Sequence, residues 1–530
     1  MHVTTDVRAS VQRFGAMLLA DLRERTRSPR FWVVLGLMVV ASWLCFPPPG
    51  AGYMILSIHG SERGFYSSAW VGMVLASVFS TLLSLCGFYL VRGTLVRDID
   101  SRVWQLLVAT PMTRGGYLLA KWASHMVMFS LIASVALCVG LVAQWVRAED
   151  RSIHLLKLVK PVLLLNLPGL AVTAMLAIWF DLLPWLRRTA GNVIFFFLWV
   201  VMLTVPLARV ESPSNMLLRE GWVSDTHGMI LMARDFHRSQ EQRTGKPAEF
   251  GFNIGSPATP KGPSKFEWKS WSVRPMDVLG RGLWLLLAMA GVLLAAPLLD
   301  WAASRTSAAA RSVASPGRRL RWLDRLLAPL ARGPTAIVAI AELRLSLRQR
   351  RAWWWLVALA AMVAQAFGKG DALHLGLLLA WVLPLDMLSR NILREVDNGT
   401  GGLVFTAPQI LRRLLVARFA TGFGLLVALS LPGLIRLFAT APLSAVAVLV
   451  VCASIASWAL SLSAACRNPR PFELLLLVAA YLSTQSVPIF DIALAPQATA
   501  AWHAVLMLPA WVVLAWAWPR LASATHRRSS

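Results

Sequence analysis

Few residues in this chain combine a reactive type with a useful spacing. Asp225-Thr226-His227 and Asp235-Phe236-His237 set two Asp-x-His pairs ten residues apart. Four such groups can ligate a divalent transition metal. The plainer reading is a solvated polar loop, and that is the expectation: no metal and no cofactor. His125 and Asn166 fall in apolar runs, where such side chains usually hydrogen-bond one helix to another. Prolines 168, 206, 384 and 432 lie in apolar runs, where they either kink helices around a cavity or interrupt them without consequence. No nucleophile stands with a base, so no catalytic residue is assigned and the chain is not expected to be an enzyme. A Gly-x-x-x-x-Gly-Lys-Ser/Thr phosphate loop is absent, and Thr259-Pro260-Lys261-Gly262 lacks its glycine spacing. Cys45, Cys86, Cys138, Cys452 and Cys466 lie in or beside apolar runs and read as packing residues.

A stronger signal is a stretch that occurs twice. Arg97, Asp98, Asp100, Leu106, Pro111, Leu118 and Lys121 match Arg394, Glu395, Asp397, Leu403, Pro408, Leu415 and Arg418 at a separation of 297. Ala20-Asp21-Leu22-Arg23 matches Ala341-Glu342-Leu343-Arg344 at 321, and Trp32 then meets Trp353. The difference of 24 is the longer loop 48–68 of the first copy. In that copy Asp100 or Ser101 caps a short helix, Val103 to Leu107 give it an apolar face with Trp104, Leu106 and Leu107, and Pro111 stops it. The second copy carries Glu395, Asp397, Thr400, Phe405 and Pro408, with Gly401 and Gly402 loosening its helix. An amphipathic helix lying on a membrane surface has the shape to dock into a partner's groove.

The elements around these stretches are apolar spans. The chain has 530 residues, 57% of them hydrophobic and 15% charged, too few charges for a water-facing surface. Runs of about 20 apolar residues, the length that crosses a bilayer core, recur at 31–47, 69–91, 123–145, 161–180, 191–209 and 279–299. They recur again at 353–368, 373–389, 419–438, 441–464, 472–490 and 500–519. The predicted fold is an all-α polytopic membrane protein with about 12 transmembrane helices, as two parallel six-helix repeats. An amphipathic elbow helix precedes each repeat: Val11, Phe14, Leu18 and Leu22 share one face, as do Ile337, Ile340, Leu343 and Leu347. The divisions are a first half at 1–300, a basic linker at 301–333 and a second half at 334–530. The first half holds a hydrophilic outer loop, 210–276, whose Trp222, Phe250, Phe252, Phe266, Trp268 and Trp271 can pack a small cap. A net charge of +26 invites nucleic acid as a partner, but arginines concentrate before the first span, in the linker and at the end. That is the pattern of cytoplasmic segments, so both termini are expected in the cytoplasm of an inner-membrane protein, with lipid rather than nucleic acid as the charged partner.

Acidic residues, then Gly-Thr, a Leu-rich turn, Thr-Pro or Ala-Pro, and Leu-Leu-x-Lys/Arg resemble the permease subunits of ABC type-2 exporters. Arg102-Val103 replaces the Gly-Thr pair in the first copy. The resemblance spans nearly the whole chain and implies an ATP-driven export permease. Its coupling helices, with Asp98, Asp100, Trp104, Leu106, Leu107, Pro111, Glu395, Asp397, Thr400, Phe405 and Pro408, would contact a separate ABC ATPase subunit that binds the ATP. Two such helices suit two copies of the ATPase, and further periplasmic or membrane subunits fit the same scheme. Two other classes compete. A secondary transporter of the major-facilitator kind needs ionisable groups at mid-membrane, and the predicted span centres hold almost none. A membrane scaffold or signalling subunit would transport nothing. The spans name no cargo.

Overall fold

The computed structural model describes all residues except 1, 28, 49–52, 59–61, 101–112, 188, 211–224, 246–251, 258–263, 302–324, 326, 328, 330–332, 349, 351, 369–370, 406–408, 485–489 and 530. It divides into unit 1, Met1–Arg311, and unit 2, Ser312–Ser530, a boundary inside the predicted linker.

Unit 1 begins with α1 (His2–Thr26) and α2 (Pro29–Leu44), then strands β1 (Tyr53–Ile58) and β2 (Glu62–Gly64). Long apolar helices follow: α3 (Ser68–Ile99), α4 (Arg114–Arg147), α5 (Leu155–Leu182) and α6 (Thr189–Val210). Hydroxyl caps set two of their starts: the Ser67 side chain accepts from Trp70 N, and that of Thr113 from Gly116 N. After α6 come α7 (Met229–Thr244), β3 (Phe252–Pro257), β4 (Ser264–Phe266) and α8 (Pro275–Leu294). Unit 2 contains α9 (Pro334–Arg348), α10 (Ala352–Phe367), α11 (Asp371–Asn391), α12 (Ile410–Leu429), α13 (Leu431–Thr440), α14 (Pro442–Cys466), α15 (Arg470–Thr484) and α16 (Pro496–Ser529).

The chain is a largely helical, multi-pass membrane protein. Among the described residues eight helices are long and apolar enough to cross a membrane, or nine if α12 and α13 are one bent span. The predicted runs 31–47, 353–368 and 472–490 correspond to α2, α10 and α15, of 16, 16 and 15 residues. At 1.5 Å per residue these are about 22–24 Å long, short of a hydrocarbon core of about 30 Å. Helix length alone therefore does not reach the expected twelve.

The run 419–438, expected as one helix, is broken by 67° between α12 and α13. Its cause is local. The Gln365 carboxamide inserts where the helix would bond Gly433 N to Leu429 O: Nε2 donates to Leu429 O (3.1 Å), and Oε1 accepts from Gly433 N (3.2 Å). Pro432 supplies no N–H of its own, so the turn has little else to hold it.

Four strands form one sheet in the order β3-β1-β2-β4, with β1 antiparallel to β2 and β3, and β2 parallel to β4. It joins the loop 48–68 to the loop 210–276, neither of which was expected to contain strands. Trp70, at the start of α3, packs its ring 5.5–6.0 Å from those of Phe266, Trp268 and Phe236. Glu149, just past α4, ties the edge together: it accepts from Arg63 Nη2 (2.5 Å), Lys265 Nζ (2.8 Å) and Tyr66 N (2.9 Å). Burial alone would raise the Glu149 carboxyl, but those donors hold it down at about 2. Of the predicted cap aromatics, Phe266, Trp268 and Trp271 are buried. Trp222 and Phe250 lie outside the described residues.

Candidate functional site

Where α1, the end of α3 and the start of α4 meet, three buried charges, Asp21, Arg25 and Lys121, come together with the half-buried Asp98. Asp21 on α1 takes Lys121 Nζ at 2.6 Å and Arg25 Nε at 2.6 Å. The same Lys121 reaches Asp98 at 2.7 Å, and Tyr117 OH donates to Asp98 at 2.8 Å. Ser124 Oγ also donates to Asp21. Burial alone would raise the Asp21 carboxyl, yet Arg25 and Lys121 hold it well below the usual carboxylate range. Asp98 reaches this place because α3 turns at Arg92-Gly93, where Gly93 N donates to the Asp181 carboxylate at 2.7 and 3.0 Å.

Unit 2 contains a network of the same make. Glu342 on α9 lies 3.6 Å from Arg418 Nη2 on α12, Arg418 pairs with Glu395, and Arg394 pairs with Glu342. Each network centres on one buried cation between two acids, with a second cation on the acid of the preceding helix, Arg25 in unit 1 and Arg394 in unit 2; in unit 1 Arg97 also lies 3.9 Å from Asp98. Three of the charges in each network are residues matched by the separations of 321 and 297: Asp21 on α1 and Glu342 on α9, Asp98 and Glu395, and Lys121 on α4 and Arg418 on α12. Arg418 is fully buried, with Trp518 on α16 beside it, ring centroid 5.6 Å from the guanidinium.

The predicted docking residues divide into three sets. Asp98 and Glu395 pair within these networks. Phe405 is also turned inward, edge-on to Trp518 at 5.6 Å, in a cluster with Ile410, Leu411 and Leu521. Asp397 and Thr400 are exposed. Trp104, Leu106, Leu107, Pro111 and Pro408 lie outside the described residues, and Asp100 ends a short helix, Thr94–Asp100. The amphipathic helix expected around Thr400 and Phe405 is a single turn, Gly401–Val404, as two glycines dictate.

No family model, curated protein or solved structure matches the chain. Its site has to be read from its own geometry.

The two Asp-x-His pairs do not converge. Asp225 accepts from the backbone N of Met229 (2.8 Å), Ile230 (2.8 Å) and Leu231 (3.3 Å), capping α7. His227 sits between Thr226 Oγ1 (2.9 Å) and Ser84 Oγ (3.1 Å). Asp235 accepts from Ser272 Oγ at 2.5 Å, and His237 faces Glu241 at 3.9 Å. Among the described residues no three ligand side chains could hold a metal together. Nor is this a solvated loop: residues 225–233 are buried. Ser84 is near the middle of α3, so His227 lies level with the centres of the spans.

Arg281, on α8, holds that segment in place. Its Nη1 donates to Asp225 O (2.6 Å), its Nη2 to Thr226 O (2.9 Å) and Leu165 O, and its Nε to Leu164 O (2.9 Å). Pro168 explains one of these bonds: it has no N–H to give Leu164 O four residues back, so the guanidinium meets that carbonyl. Sequence reasoning missed this node. The prolines were visible, but nothing local indicated that a polar loop returns to span depth.

Proposed function

We propose that the chain is the membrane-spanning permease subunit of an ATP-driven exporter of the ABC type-2 kind. In this reading it has two like-oriented six-helix halves and is coupled to two copies of a separate ATPase subunit. One observation carries the proposal: in each unit three matched residues form an acid–cation–acid bridge, Asp21–Lys121–Asp98 and Glu342–Arg418–Glu395, linking the helix before the first span to the ends of the second and third. Such a junction stiffens the platform on which a docking segment sits, so force applied to that segment reaches three helices together. α1 and α9 take the role of elbow helices on the cytoplasmic surface, and α2, α10 and α15 cross with help from snorkelling arginines at their ends.

The secondary-transporter reading draws on Asp225, His227 and Arg281 at span depth. Their bonds favour a structural role. Asp225 is occupied by a helix N-terminus, and Arg281 by four carbonyls, so neither is free to exchange a proton with cargo.

Co-purification with a co-expressed candidate ABC ATPase subunit tests the proposal. Trp is enriched among interface hot spots, where truncation costs about 2 kcal/mol or more, so Trp104→Ala should weaken the complex by roughly 30-fold. Asp397→Lys, on the exposed turn of the second segment, should weaken it less. Unchanged ATPase recovery with both variants would remove the coupling assignment.

A further inference from the structure

The segment 225–228 is irregular backbone at the depth of span centres. Non-helical backbone survives there only where protein buries it or where it borders a water-filled cavity. Beneath it lies a polar bed. Ser84 Oγ takes His227 on one side and Trp199 Nε1 (2.9 Å) on the other. One turn away Ser80 Oγ donates to Asn166 Oδ1 at 2.5 Å, while Asn166 Nδ2, fully buried, has no partner among the described residues. The bed is built from two π-turns that lie against each other, Phe79–Leu83 in α3 and Val162–Asn166 in α5. Such widened turns are rare and recur at functional sites.

We propose that Ser80, Ser84 and Asn166 line a polar passage within unit 1, and that residues 225–228, pinned by Arg281, are its plug. The plug is fitted and separable. Gly228 takes φ +78, and a Cβ there would come within 2.6 Å of Leu165 Cδ2; at Gly169 a Cβ would meet Thr226 O at 3.1 Å. The pin belongs to α8 and bonds both the plug and the Leu164 and Leu165 carbonyls of α5. The same helix also holds Arg234 of α7 through Asp277 at 2.5 Å. A shift of α8 against α5 has to break either the bonds of Arg281 to Leu164 O and Leu165 O or those to Asp225 O and Thr226 O, and the second tie from α8 to α7 favours the first, so that plug and α7 move together and leave the bed behind. The bed offers hydroxyls and a carboxamide, and the one carboxylate of the plug is turned onto backbone N–H groups. That lining suits an uncharged hydrogen-bonding solute, or the polar part of an amphiphile, better than a bare ion. The inference needs only that unit 1 passes a solute, whatever drives it.

The test uses full-length protein in detergent, where both faces are open to reagent, with its five cysteines replaced and a single cysteine at Ser80→Cys. The probe is a small water-borne methanethiosulfonate, and the readout is labelling rate by mass spectrometry. Labelling should be slow in this parent and roughly tenfold faster or more once Arg281→Gln removes most of the pin, as the loss of one or more charge-assisted bonds implies. Gly228→Val, which forces the plug outward while leaving the pin, should act in the same direction. Fast labelling of the parent, or slow labelling in both variants at unchanged melting temperature, would overturn the passage. If neither variant folds, hydrogen exchange on the unsubstituted protein decides. The amides of 229–231 should exchange by local opening well before those at the centre of α4, and equally slow exchange would make the segment fixed core.

Discussion

Removing the ammonium of Lys121 leaves Asp21 bonded to Arg25 and Ser124, and Asp98 bonded to Tyr117. Removing the guanidinium of Arg418 leaves, among the described residues, Glu342 with only the partly exposed Arg394, and Glu395 with no cation. An uncompensated buried charge costs about 3–5 kcal/mol. Arg418→Met should therefore lower the melting temperature of the detergent-solubilised protein much more than Lys121→Met. Adding Glu395→Gln to Arg418→Met should recover part of the loss, because the orphaned charge is gone. Equal losses for the two single variants would mean that the hydroxyls of unit 1 contribute nothing. Phe405 belongs to the same argument. Its ring packs on Trp518, so Phe405→Ala should reduce the stability of unit 2 before it affects any docking.

At the level of elements, what the sequence disclosed and what it hid follow from distance along the chain. Long apolar helices were legible because each carries its own signal over 20 or more residues. The matched charges were legible as pairs, although not as contacts. Pro432 and Pro168 were visible as interruptions, yet their partners Gln365 and Arg281 come from other helices. Strands β1 and β3 are joined across nearly the whole of unit 1, and neither alternates clearly enough to be read alone. Two elements invite measurement. Gln365→Leu removes the side chain that meets Leu429 O and Gly433 N, at about 1–3 kcal/mol for each buried group left unmet, and should lower the melting temperature. In the sheet, the carboxylate of Glu149 is held at about 2 against an ordinary 4.5. A lowered carboxyl pKa stabilises fully above its unfolded value and loses that contribution as pH falls through the folded one. The melting gap between the parent and Glu149→Gln should therefore be widest above about pH 4.5 and close towards pH 2. A gap that stays constant across that range would mean that the charge of Glu149 does not hold the sheet.

Within unit 1, the contacts of one helix separate the two ends of the bundle where hydropathy does not. α2 has 16 residues, too few to declare it a span by length. However, α4 is in contact with α1, with α2 and with the sheet at identifiable points. Lys121, near its start, bonds Asp21 of α1; Arg147, at its end, donates from Nε to Phe46 O just past α2 (2.9 Å); and Glu149 beyond it binds β2 and β4. From Lys121 to Arg147 is 26 residues, about 39 Å of helix, more than a hydrocarbon core of about 30 Å. The chain between Asp21 and Phe46 must therefore cover the same height that α4 does, and α1 and the sheet lie at opposite ends of a membrane-crossing helix. The sheet adds an independent check: its strands come from before α3 and after α7, and the four helices of membrane length between them, α3 to α6, an even number, return the chain to one face. With arginine-rich segments retained in the cytoplasm, α1 and the linker are expected inside and the sheet outside. Single cysteines at Gln12→Cys, Ser264→Cys and Ser315→Cys, each in a cysteine-free background, test this in intact spheroplasts with an impermeant thiol reagent. Ser264→Cys should label, and Gln12→Cys and Ser315→Cys only after lysis. Labelling of Gln12→Cys together with Ser264→Cys before lysis would mean that α2 does not cross, and labelling of Ser315→Cys without Ser264→Cys would invert the orientation.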